Sequence, residues 1–581
     1  MTLITGFVES TSLCLPPGVY APFACGGDWP EEVEWSLPAY GISGFADASC
    51  SPSSGSFPLL GEGDTFSPTS HPTTSPTTSP TTYPTLSPTA TPTITLAPSS
   101  DPTSEPSAAP SITLAPTLTP TEALRLVVNT LDDPLNPAND FCSVEPGVSQ
   151  TCTLRNALRY CAENSDSFVM KDCIIQLPTA STLRWDATRG PLTIFSVPAD
   201  VNIILSGSDT TVTLEGGASS SLLELQMNGH NFFATVGLRV SAVSFTHFTE
   251  RVFVLRNVGD VSFSDTIFSD NSGGAVYMDG IASQVRMTNC SFCGNAAASG
   301  GALWFDNGGG GAITVSHCTF ENNVAMVSSG GAIYVGSGND GMTIDHSNFT
   351  DNIAVSSSGG AMYLQSDNDD LTMSFCVLAG NQASVGGAIF VDSNNHGVTI
   401  DHTIFTDNIA AFTAGAMYIQ SSNVDFKMFY CVLERNEASE GGGIYVENDN
   451  HQMTIKHSTF IGNIGSSSDG GALYIGIGND DFTLSFCLLV GNEASSGGAL
   501  YFEIENARVT IDHSNFTGNI ANDPDEGTGG GISVSEDNHK LTLSYCVLEN
   551  NVAVKRGGGM YLESSNHGLT MSFCSLVNNS A

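Results

Sequence analysis

Basic residues are scarce in this 581-residue chain and are missing altogether from its first part. Lys and Arg total 17 against 59 Asp and Glu, which gives a formal net charge of −42, and no basic residue precedes Arg125. A surface this acidic repels other polyanions. The composition therefore argues against nucleic acid, anionic membranes and polyuronates as partners.

Long apolar runs are missing as well. No stretch of 18 or more apolar residues occurs, so the sequence offers no candidate transmembrane helix. The segment that begins at Met1 lacks the basic and long apolar regions of a signal peptide. Because other features indicate export, we expect the natural start of the chain to lie upstream.

Long charged side chains are few, and small residues take their place. Charged residues make up 13% of the chain, whereas Gly occurs 60 times. Abundant Gly, Ser, Asn and Thr suit tightly turning β-structure better than helices. The composition therefore predicts an all-β fold.

A small cysteine-containing module is expected at the N-terminus, over residues 1–63. It contains Cys14, Cys25 and Cys50. A segment of this size buries little core, so we expect disulfide stapling in an oxidising compartment, which leaves one of the three cysteines over.

A Pro/Thr/Ser-rich tract follows over residues 64–122. Between Pro68 and Pro92, proline recurs every four residues. Proline fixes φ and removes a backbone donor, so neither helix nor sheet can propagate. The tract is predicted to be either a plain disordered linker or an extended, O-glycosylated stalk.

Residues 123–205 are predicted to cap the solenoid that follows. They contain the run Cys152-Thr-Leu-Arg-Asn-Ala, which resembles the Cys-Ser-Leu-Arg-Glu-Ala type of N-terminal domain of secreted β-helix proteins, with Thr153 and Asn156 as departures. A solenoid needs such a cap because its first coil otherwise exposes an open edge. Four cysteines of this region are candidates for disulfides: Cys142, Cys152, Cys161 and Cys173.

Residues 206–581 are organised by an internal repeat. A Gly-Gly-small triplet or a close variant starts at eleven positions from Gly273 to Gly557, with a mean spacing of about 28 residues. Between the triplets, Phe or Leu is followed three residues later by Asn, as at Phe349 and Asn352. Each period contains three short strand-like runs and no helical pattern, which predicts one triangular coil of a right-handed parallel β-helix. A leucine-rich repeat is the alternative, but its spaced leucines are missing.

The paired Gly-Gly-Ala-Ile and Phe-x-x-Asn signals resemble the repeats of polymorphic outer membrane proteins, within the wider pectin-lyase-like fold. This resemblance covers about half of the chain and implies a β-helix used for surface display and adhesion. It implies no catalytic residue.

Stacked coils turn sequence columns into ladders. Recurring asparagines before one strand are expected to form a turn ladder: Asn339, Asn368, Asn395, Asn450, Asn479, Asn538 and Asn566. A second column alternates His with Phe or Tyr over a two-coil period of about 56 residues, as at His346 and Phe375, and is expected to stack rather than to bind metal. In the neighbouring column, two cysteine pairs on adjacent coils are further disulfide candidates: Cys290 with Cys318, and Cys546 with Cys574.

A column of aromatic residues is the candidate binding surface. Its flanking columns are aliphatic, so if these point inward the aromatics face solvent and could contact sugar rings or a protein; the alternative is that the aromatics fill the core. The candidate residues are Trp304, Tyr334, Tyr363, Phe390, Tyr418, Tyr445, Tyr474, Tyr501 and Tyr561.

An enzyme of the pectin-lyase-like fold is the alternative function. A lyase needs a Lys or Arg base, and the basic residues of the repeat array are scattered, with one adjacent pair, Lys555-Arg556. A catalytic site normally interrupts a repeat, and the array departs from its pattern at Ala414, at Ser533 and in the insertion around 523–526. An active site near the arginines of the N-terminal region also stays open: Arg184, Arg189, Arg239, Arg251 and Arg256.

The preferred function is adhesion or structural display outside the cell, at a cell surface or wall, with a glycan or a surface protein as partner. No cofactor is required, although acidic turns make Ca²⁺ a further candidate. Glycosylation is expected at four Asn-x-Ser/Thr sequons: Asn289, Asn348, Asn515 and Asn578.

Overall fold

A computed structural model describes the part of the chain that carries the repeats. The described residues are 18–20, 34–37, 42–45, 57–59, 124–128, 152–163, 172–178, 182–185, 191–194, 201–207, 212–216, 221–226, 236–280, 283–307 and 311–581. The chain divides into two units, Met1–Val8 with Leu15–Thr121, and Glu9–Cys14 with Glu122–Ala581.

Four short strands are described in the first unit. Gly18–Tyr20 pairs antiparallel with Phe57–Leu59, and Glu34–Leu37 pairs antiparallel with Ile42–Phe45. The predicted linker over 64–122 lies outside the described residues, as do Cys14, Cys25 and Cys50.

The second unit is a parallel β-solenoid, as the 28-residue period predicts. Each coil passes through three sheets in turn, and all strands within a sheet are parallel and in register. In ten coils a short additional strand lies between the second and the third sheet, where the sequence predicted only three strands per coil.

The four sheets are named in the order in which a coil visits them. The first sheet has 16 strands: Leu124–Val127, Asp172–Gln176, Val201–Ser206, Val236–Ser241, Val261–Ser264, Gln284–Thr288, Ala312–Ser316, Thr343–Asp345, Thr372–Ser374, Thr399–Asp401, Lys427–Phe429, Thr454–Lys456, Thr483–Ser485, Thr510–Asp512, Thr542–Ser544 and Thr570–Ser572. The second sheet has 15 strands: Thr182–Arg184, Thr213–Glu215, Ser244–Thr246, Ile267–Ser269, Ser291–Cys293, Thr319–Glu321, Asn348–Thr350, Val377–Ala379, Ile404–Thr406, Val432–Glu434, Thr459–Ile461, Leu488–Val490, Asn515–Thr517, Val547–Glu549 and Ser575–Val577.

The short sheet and the third sheet complete the coil. The short sheet has 10 strands: Ala296–Ala297, Val324–Ala325, Ile353–Ala354, Gln382–Val385, Ile409–Thr413, Glu437–Ala438, Ile464–Gly465, Glu493–Ala494, Ile520–Ala521 and Val552–Ala553. The third sheet has 14 strands: Leu192–Ile194, Leu223–Gln226, Phe253–Arg256, Val276–Asp279, Leu303–Asp306, Ile333–Val335, Met362–Leu364, Ile389–Val391, Met417–Ile419, Ile444–Val446, Leu473–Ile475, Leu500–Phe502, Ile532–Val534 and Met560–Leu562. The sheets therefore already include strands of the region 123–205, upstream of the repeats that the sequence makes visible.

A helix, Leu154–Glu163, lies at the N-terminal end of the solenoid. The Thr153 hydroxyl accepts a hydrogen bond from the backbone N–H of Asn156 at 3.3 Å, which satisfies one of the donors left free at a helix start. Leu154, Leu158 and Cys161 are buried, at the spacing of one helix face. The helix lies at the N-terminal end, where the sequence predicted a cap.

The Gly-Gly pairs are required by close backbone approach between coils. Gly330 has a φ of +71°, which only glycine adopts freely, and a Cβ atom on Gly331 would lie 1.9 Å from the carbonyl oxygen of Gly360 in the next coil. The chain enters the third sheet here, so a side chain at this position would push two coils apart.

The Phe-x-x-Asn signal fills the core and ties the coils together. The Asn side chains are buried where each coil leaves the second sheet, and the Asn436 amide donates to Asn463 Oδ1 at 2.9 Å and to the carbonyl of Phe405 at 3.1 Å. The same pattern runs from Asn271 to Asn579. Each of these buried amides thereby forms hydrogen bonds with both a backbone and a side-chain group of the adjacent coils.

The second Asn ladder, predicted from Asn339 and its equivalents, is confirmed. The backbone N–H of Asn339 donates to Asn368 Oδ1 at 2.7 Å, and that of Asn368 donates to Asn395 Oδ1 at 2.9 Å. These asparagines are buried in the turn that leads back into the first sheet. They stabilise the turn rather than offering a ligand site.

The predicted stack of His and aromatic rings is also confirmed. His346 and Phe375 have ring centroids 4.9 Å apart, and Phe375 and His402 are 4.9 Å apart. These residues form the corner between the first and second sheets with a positive φ, for example 51° at Phe375. This corner ladder is exposed, with Phe375 at 48% and Tyr430 at 51%.

Hydrogen bonding explains the two-coil period beside this ladder. Ser347 follows His346, and its hydroxyl accepts the backbone N–H of Cys318 in the preceding coil at 3.1 Å. In the next coil Cys376 takes the place of Ser347, and its thiol donates to the carbonyl of Ser374 at 3.2 Å. From Cys318 to Cys546, hydroxyl coils and thiol coils therefore alternate, and two thiol coils are adjacent at each end of this stretch.

Candidate ligand-binding face and cleft

The aromatic column lies on the outer face of the third sheet. Ile333 and Val335 are fully buried, whereas Tyr334 between them is partly exposed. Alternation along the strand therefore points the aromatics outward, which was one of the two orientations that the sequence left open. Phe390 and Tyr474 are the most covered members, each at 8% exposure.

The rings of this column stack on one another and hide their faces. Centroids of successive rings from Tyr334 to Tyr501 lie between 4.4 and 5.3 Å apart. Near the start of the column, Trp304 contacts Tyr334 edge to face at 5.5 Å. Because each face is covered by the next ring, solvent meets ring edges and hydroxyl groups rather than open faces.

The tyrosine hydroxyls form hydrogen bonds with acidic or amide residues of the following coil. Tyr363 donates to Asp392 Oδ2 at 2.7 Å, and Tyr334 donates to Gln365 Oε1 at 3.1 Å. Burial and the nearby carboxylate raise the pKa of Tyr363 well above its usual value, so its hydroxyl stays a neutral donor. The third-sheet face is therefore a row of ring edges beside a row of hydrogen-bond acceptors.

A cleft interrupts this face where Ser533 replaces a ring. Tyr501 precedes and Tyr561 follows Ser533 in register along the sheet. A cavity of about 640 Å³ opens there. It is lined by Ser467, Ser468, Asp469, Ser495, Ser496, Tyr501, Asp523, Asp525, Glu526, Thr528, Ser533, Ser535, Lys555, Arg556, Tyr561 and Glu563.

The carboxyl groups of the cleft differ in their protonation. Burial raises the pKa of Asp469 to about 6, despite hydrogen bonds from Ser496 and Tyr501 that lower it. Backbone N–H groups of Glu526 and Asp525, together with the positive charge of Lys555, lower the pKa of Asp523. The lining of the cleft therefore includes one carboxyl that takes up a proton near pH 6 and another that stays ionised.

Three basic residues elsewhere in the array are held in ion pairs. Lys427 lies 2.7 Å from Asp425, Arg435 lies 2.8 Å from Asp407, and Arg508 lies 2.6 Å from Asp481. The side chains of Lys555 and Arg556 instead line the cleft and are exposed.

The sequence pattern singled out the 523–526 insertion, Ser533 and the Lys555-Arg556 pair, but it did not predict that they form one site. They lie in neighbouring coils, and stacking brings them together. The signal that could have joined them is their offset of about one repeat.

The arginines of the N-terminal region form no comparable site. Arg184 pairs with Glu215 at 3.0 Å. Arg251 is buried and donates to backbone carbonyls, among them that of Gly300 at 3.0 Å, and this burial lowers its pKa to about 9. Arg256 lies over the ring of Tyr277. Arg239 is exposed, and Arg189 lies outside the described residues.

The cysteines divide into bonded and free ones. Cys161 and Cys173 form a disulfide, Cys152 is disulfide-bonded as well, and Cys142 lies outside the described residues. The four candidates of the array are instead free thiols: Cys290, Cys318, Cys546 and Cys574. Their side chains point the same way in successive coils, and each thiol hydrogen bonds to a backbone carbonyl two residues earlier in its own coil.

The four sequon asparagines are exposed and flank the second sheet. Asn348 and Asn515 begin strands of that sheet, Asn289 precedes one, and Asn578 follows one. The aromatic column lies on a different sheet, so glycans on these residues would be attached away from it. Their modification stays a prediction.

The described residues contain neither a candidate metal site nor a candidate membrane-spanning helix. Among the described residues, no three His, Cys, Asp or Glu side chains group closely enough to hold a metal ion, so Ca²⁺ stays a prediction. None of the helices there has the length and apolarity that crossing a bilayer requires.

Comparison with known proteins bears on the fold. The family model described as "Right handed beta helix region" matches residues 194–349 and 308–476, and the parallel solenoid is accordingly a right-handed β-helix. A search of curated proteins finds no match.

Solved structures with similar solenoids include proteins of different kinds. The surface adhesin PfbA of Streptococcus pneumoniae is 10% identical, with a TM-score of 0.35 over 64% of this chain and 83% of that one. Tailspike protein 3 of bacteriophage CBA120 is 13% identical, with a TM-score of 0.39 over 72% and 59%. A PL6 alginate lyase in complex with a trisaccharide is 11% identical, with a TM-score of 0.34 over 79% and 86%. Likenesses this distant carry no argument about function.

Proposed function

We propose that this protein is an extracellular or cell-surface binding rod that holds a glycan or a surface protein along the side of its solenoid. The observation that carries this proposal is the row of ring edges and hydrogen-bond acceptors on the third sheet, repeated once per coil from Tyr334 to Tyr501. A surface that repeats at a fixed interval suits an extended ligand that also repeats, because each added unit meets the same groups.

The exported location is supported by the Cys161–Cys173 disulfide, since such bonds persist in oxidising compartments. The net charge of −42 favours neutral or basic ligands over acidic ones.

A glycan array with the full chain, run with and without Ca²⁺, tests this function. The variant that combines Tyr363→Ala and Tyr418→Ala removes two members of the row and should weaken binding to the array about tenfold, because several weak contacts are lost together. Tyr430→Ala is the matched control, since it removes an exposed tyrosine from the corner ladder. If binding survives the double change but is lost with Tyr430→Ala, the binding site lies on the corner ladder and not on the third sheet.

A polysaccharide-active enzyme is the second candidate, and the carboxyl groups of the cleft favour it. Glycoside hydrolysis uses one protonated and one ionised carboxyl group, and the lining of the cleft contains a candidate for each. The full chain would be incubated with neutral polysaccharides and polyuronates. Release of reducing ends that Asp469→Asn abolishes would establish hydrolysis, and unsaturated products would indicate elimination.

A further inference from the structure

We propose that the cleft at Ser533 is a binding site for one neutral pyranose ring of a glycan. The inference deepens the glycan alternative of the proposed function and rests on it. It names a sugar class and a position on the rod that the repeating surface does not specify.

The cleft is built from three departures from the repeat that lie in two consecutive coils. Ser533 stands where neighbouring coils carry a ring, 523–526 adds a turn, and Lys555 and Arg556 follow one coil later. The turn is held in place, because Asp523 Oδ1 accepts the backbone N–H groups of Asp525 at 2.7 Å and of Glu526 at 2.9 Å. Its end is tied to the next coil, where the backbone N–H of Lys555 donates to the carbonyl of Gly527 at 2.9 Å.

The interruption leaves two aromatic rings without a neighbour on one side. Tyr501 ends the stack that begins at Tyr334 and is tilted by 31° from Tyr474. Tyr561 lies two coils later, in the last strand of the third sheet, and Ser533 lies buried between the two tyrosines with its hydroxyl 3.2 Å from that of Thr528. Both tyrosines line the cleft, so a ligand ring bound there can contact aromatic surface that the rest of the column hides.

The lining supplies both donors and acceptors, as a sugar requires. Ser496, Thr528 and Ser535 carry hydroxyls, and Lys555 and Arg556 carry charged donors. A pyranose presents hydroxyl groups that each donate and accept, so it can pair with groups of both kinds. A planar apolar ring would instead leave these polar groups unpaired, which is costly.

The charge of the cleft selects against acidic sugars. Its lining contains five carboxyl groups, on Asp469, Asp523, Asp525, Glu526 and Glu563, and two basic groups, on Lys555 and Arg556. A ligand carboxylate or sulfate would meet a net negative site, which repels it. A neutral hexose meets no such penalty.

The test uses the full chain and the methyl glycosides of glucose, galactose and mannose, with methyl glucuronate as the acidic comparison. Ligand-observed NMR would detect weak binding of these probes. We expect at least one neutral glycoside to bind and the glucuronate to bind more weakly. Tighter binding of the glucuronate than of any neutral glycoside would overturn the proposal.

Two substitutions locate the site. Ser533→Tyr places a ring in the interrupted position and should abolish binding, and Arg556→Ala removes a charged donor without filling space and should weaken it about tenfold. Far-UV circular dichroism and thermal unfolding check that both variants keep the fold. If Arg556→Ala and a folded Ser533→Tyr both bind like the parent chain, the cleft is not the site.

Measuring array binding and methyl glycoside binding on the same variants separates this inference from the proposed function. Tyr430→Ala changes the corner ladder several coils away from the cleft, so it is the control and should keep binding of the methyl glycosides within about twofold of the parent chain. Loss of array binding in the variant with Tyr363→Ala and Tyr418→Ala, together with unchanged glycoside binding in Ser533→Tyr, would leave the proposed function standing and remove the cleft from it. If no neutral glycoside binds, the proposal that the cleft binds a sugar is overturned. The glycan array still tests separately whether the solenoid binds a glycan.

Discussion

Besides the aromatic column of the third sheet, two ladders of stacked rings lie along this solenoid, one inside the core and one on its corner. In the core, Phe320 and Phe349 lie 4.7 Å apart and are fully buried. On the corner, Phe375 lies 4.9 Å from His402 but is 48% exposed. The spacing of the rings is nearly the same because the rise between coils fixes it. What differs is the apolar surface that each ring removes from water, so equal stacking geometry does not mean equal stabilisation.

The backbone adds a second difference. Phe375 has a φ of 51°, a conformation that costs free energy for any residue with a Cβ atom, whereas Phe349 lies in a regular strand. Stacking on the corner therefore offsets local strain, while stacking in the core adds to burial.

The largest effect is expected in the core ladder. Phe349→Ala should lower the free energy of unfolding by about 4 kcal/mol, because it leaves a cavity among packed rings. Urea unfolding of the full chain, followed by circular dichroism, measures this change through the transition midpoint. A loss below about 1 kcal/mol would mean that the core collapses around the cavity and that the two ladders differ less than their burial indicates.

The Asn ladder should show the next largest effect. Asn436→Ala removes two hydrogen bonds donated by its amide and leaves the carbonyl of Phe405 without this donor, so a loss of about 3 kcal/mol is expected. The exposed Asn348→Ala is the matched control and should change stability by less than about 0.5 kcal/mol. Similar losses in both variants would show that burial of the amide is not what matters.

Asp469 represents a third environment, partly buried on the outer face of the rod. Its folded pKa of about 6 lies above the value of 3.8 for a free Asp, so its protonated form is favoured by folding. This contribution is fully present below pH 3.8 and is lost as the pH rises through about 6. Asp469→Asn should therefore raise stability at pH 8 by about 2 kcal/mol, and the gain should vanish near pH 4. Thermal unfolding at both pH values measures the difference, and a gain that is equal at both would contradict the raised pKa.

The smallest effect is expected on the corner. Phe375→Ala should cost about 1 kcal/mol, because the ring is half exposed and its stacking contacts are modest. Phe375→Asn should cost less, since Asn tolerates a positive φ better than Ala. Urea unfolding under the conditions used for Phe349→Ala makes the two ladders directly comparable, and equal losses for Phe349→Ala and Phe375→Ala would remove the distinction between them.

Much of the fold could be predicted from the sequence because each coil must meet the same packing and hydrogen-bonding requirements as the coil before it. The Gly-Gly triplets mark close backbone approach, as at Gly331, and the Phe-x-x-Asn signal marks the core and its amide ladder. The column of His346 and Phe375 could be recognised as a stack because coil spacing alone brings the rings into contact. The short fourth strand was missed, since two residues such as Ile353–Ala354 carry no pattern of their own.

The candidate site was harder to predict, for two physical reasons. The sequence left open whether Tyr334 points outward or into the core, because alternation alone does not say which face of a strand is buried, and the coverage of its faces by adjacent rings follows only from stacking. The cleft depends on departures from the repeat, and these become neighbours only when coils are placed on one another. The spacing of the coils allowed a bond between Cys290 and Cys318, yet both thiols are free and each hydrogen bonds to a backbone carbonyl of its own coil.

The alternation of hydroxyl and thiol coils has a consequence for the length of the rod. Coils of the same kind recur at a two-coil interval, so removing or duplicating a coil pair would rejoin like with like and keep the Asn, Phe and corner ladders continuous. Within the alternating stretch from Cys318 to Cys546, loss or gain of a single coil would instead place two hydroxyl or two thiol coils side by side, a junction that now occurs only at the ends of this stretch. Tandem duplication within the gene could thus lengthen or shorten the molecule in steps of about 10 Å without redesigning its core. The coil pair is therefore the unit in which the length of the solenoid can change without a change in its outer surface.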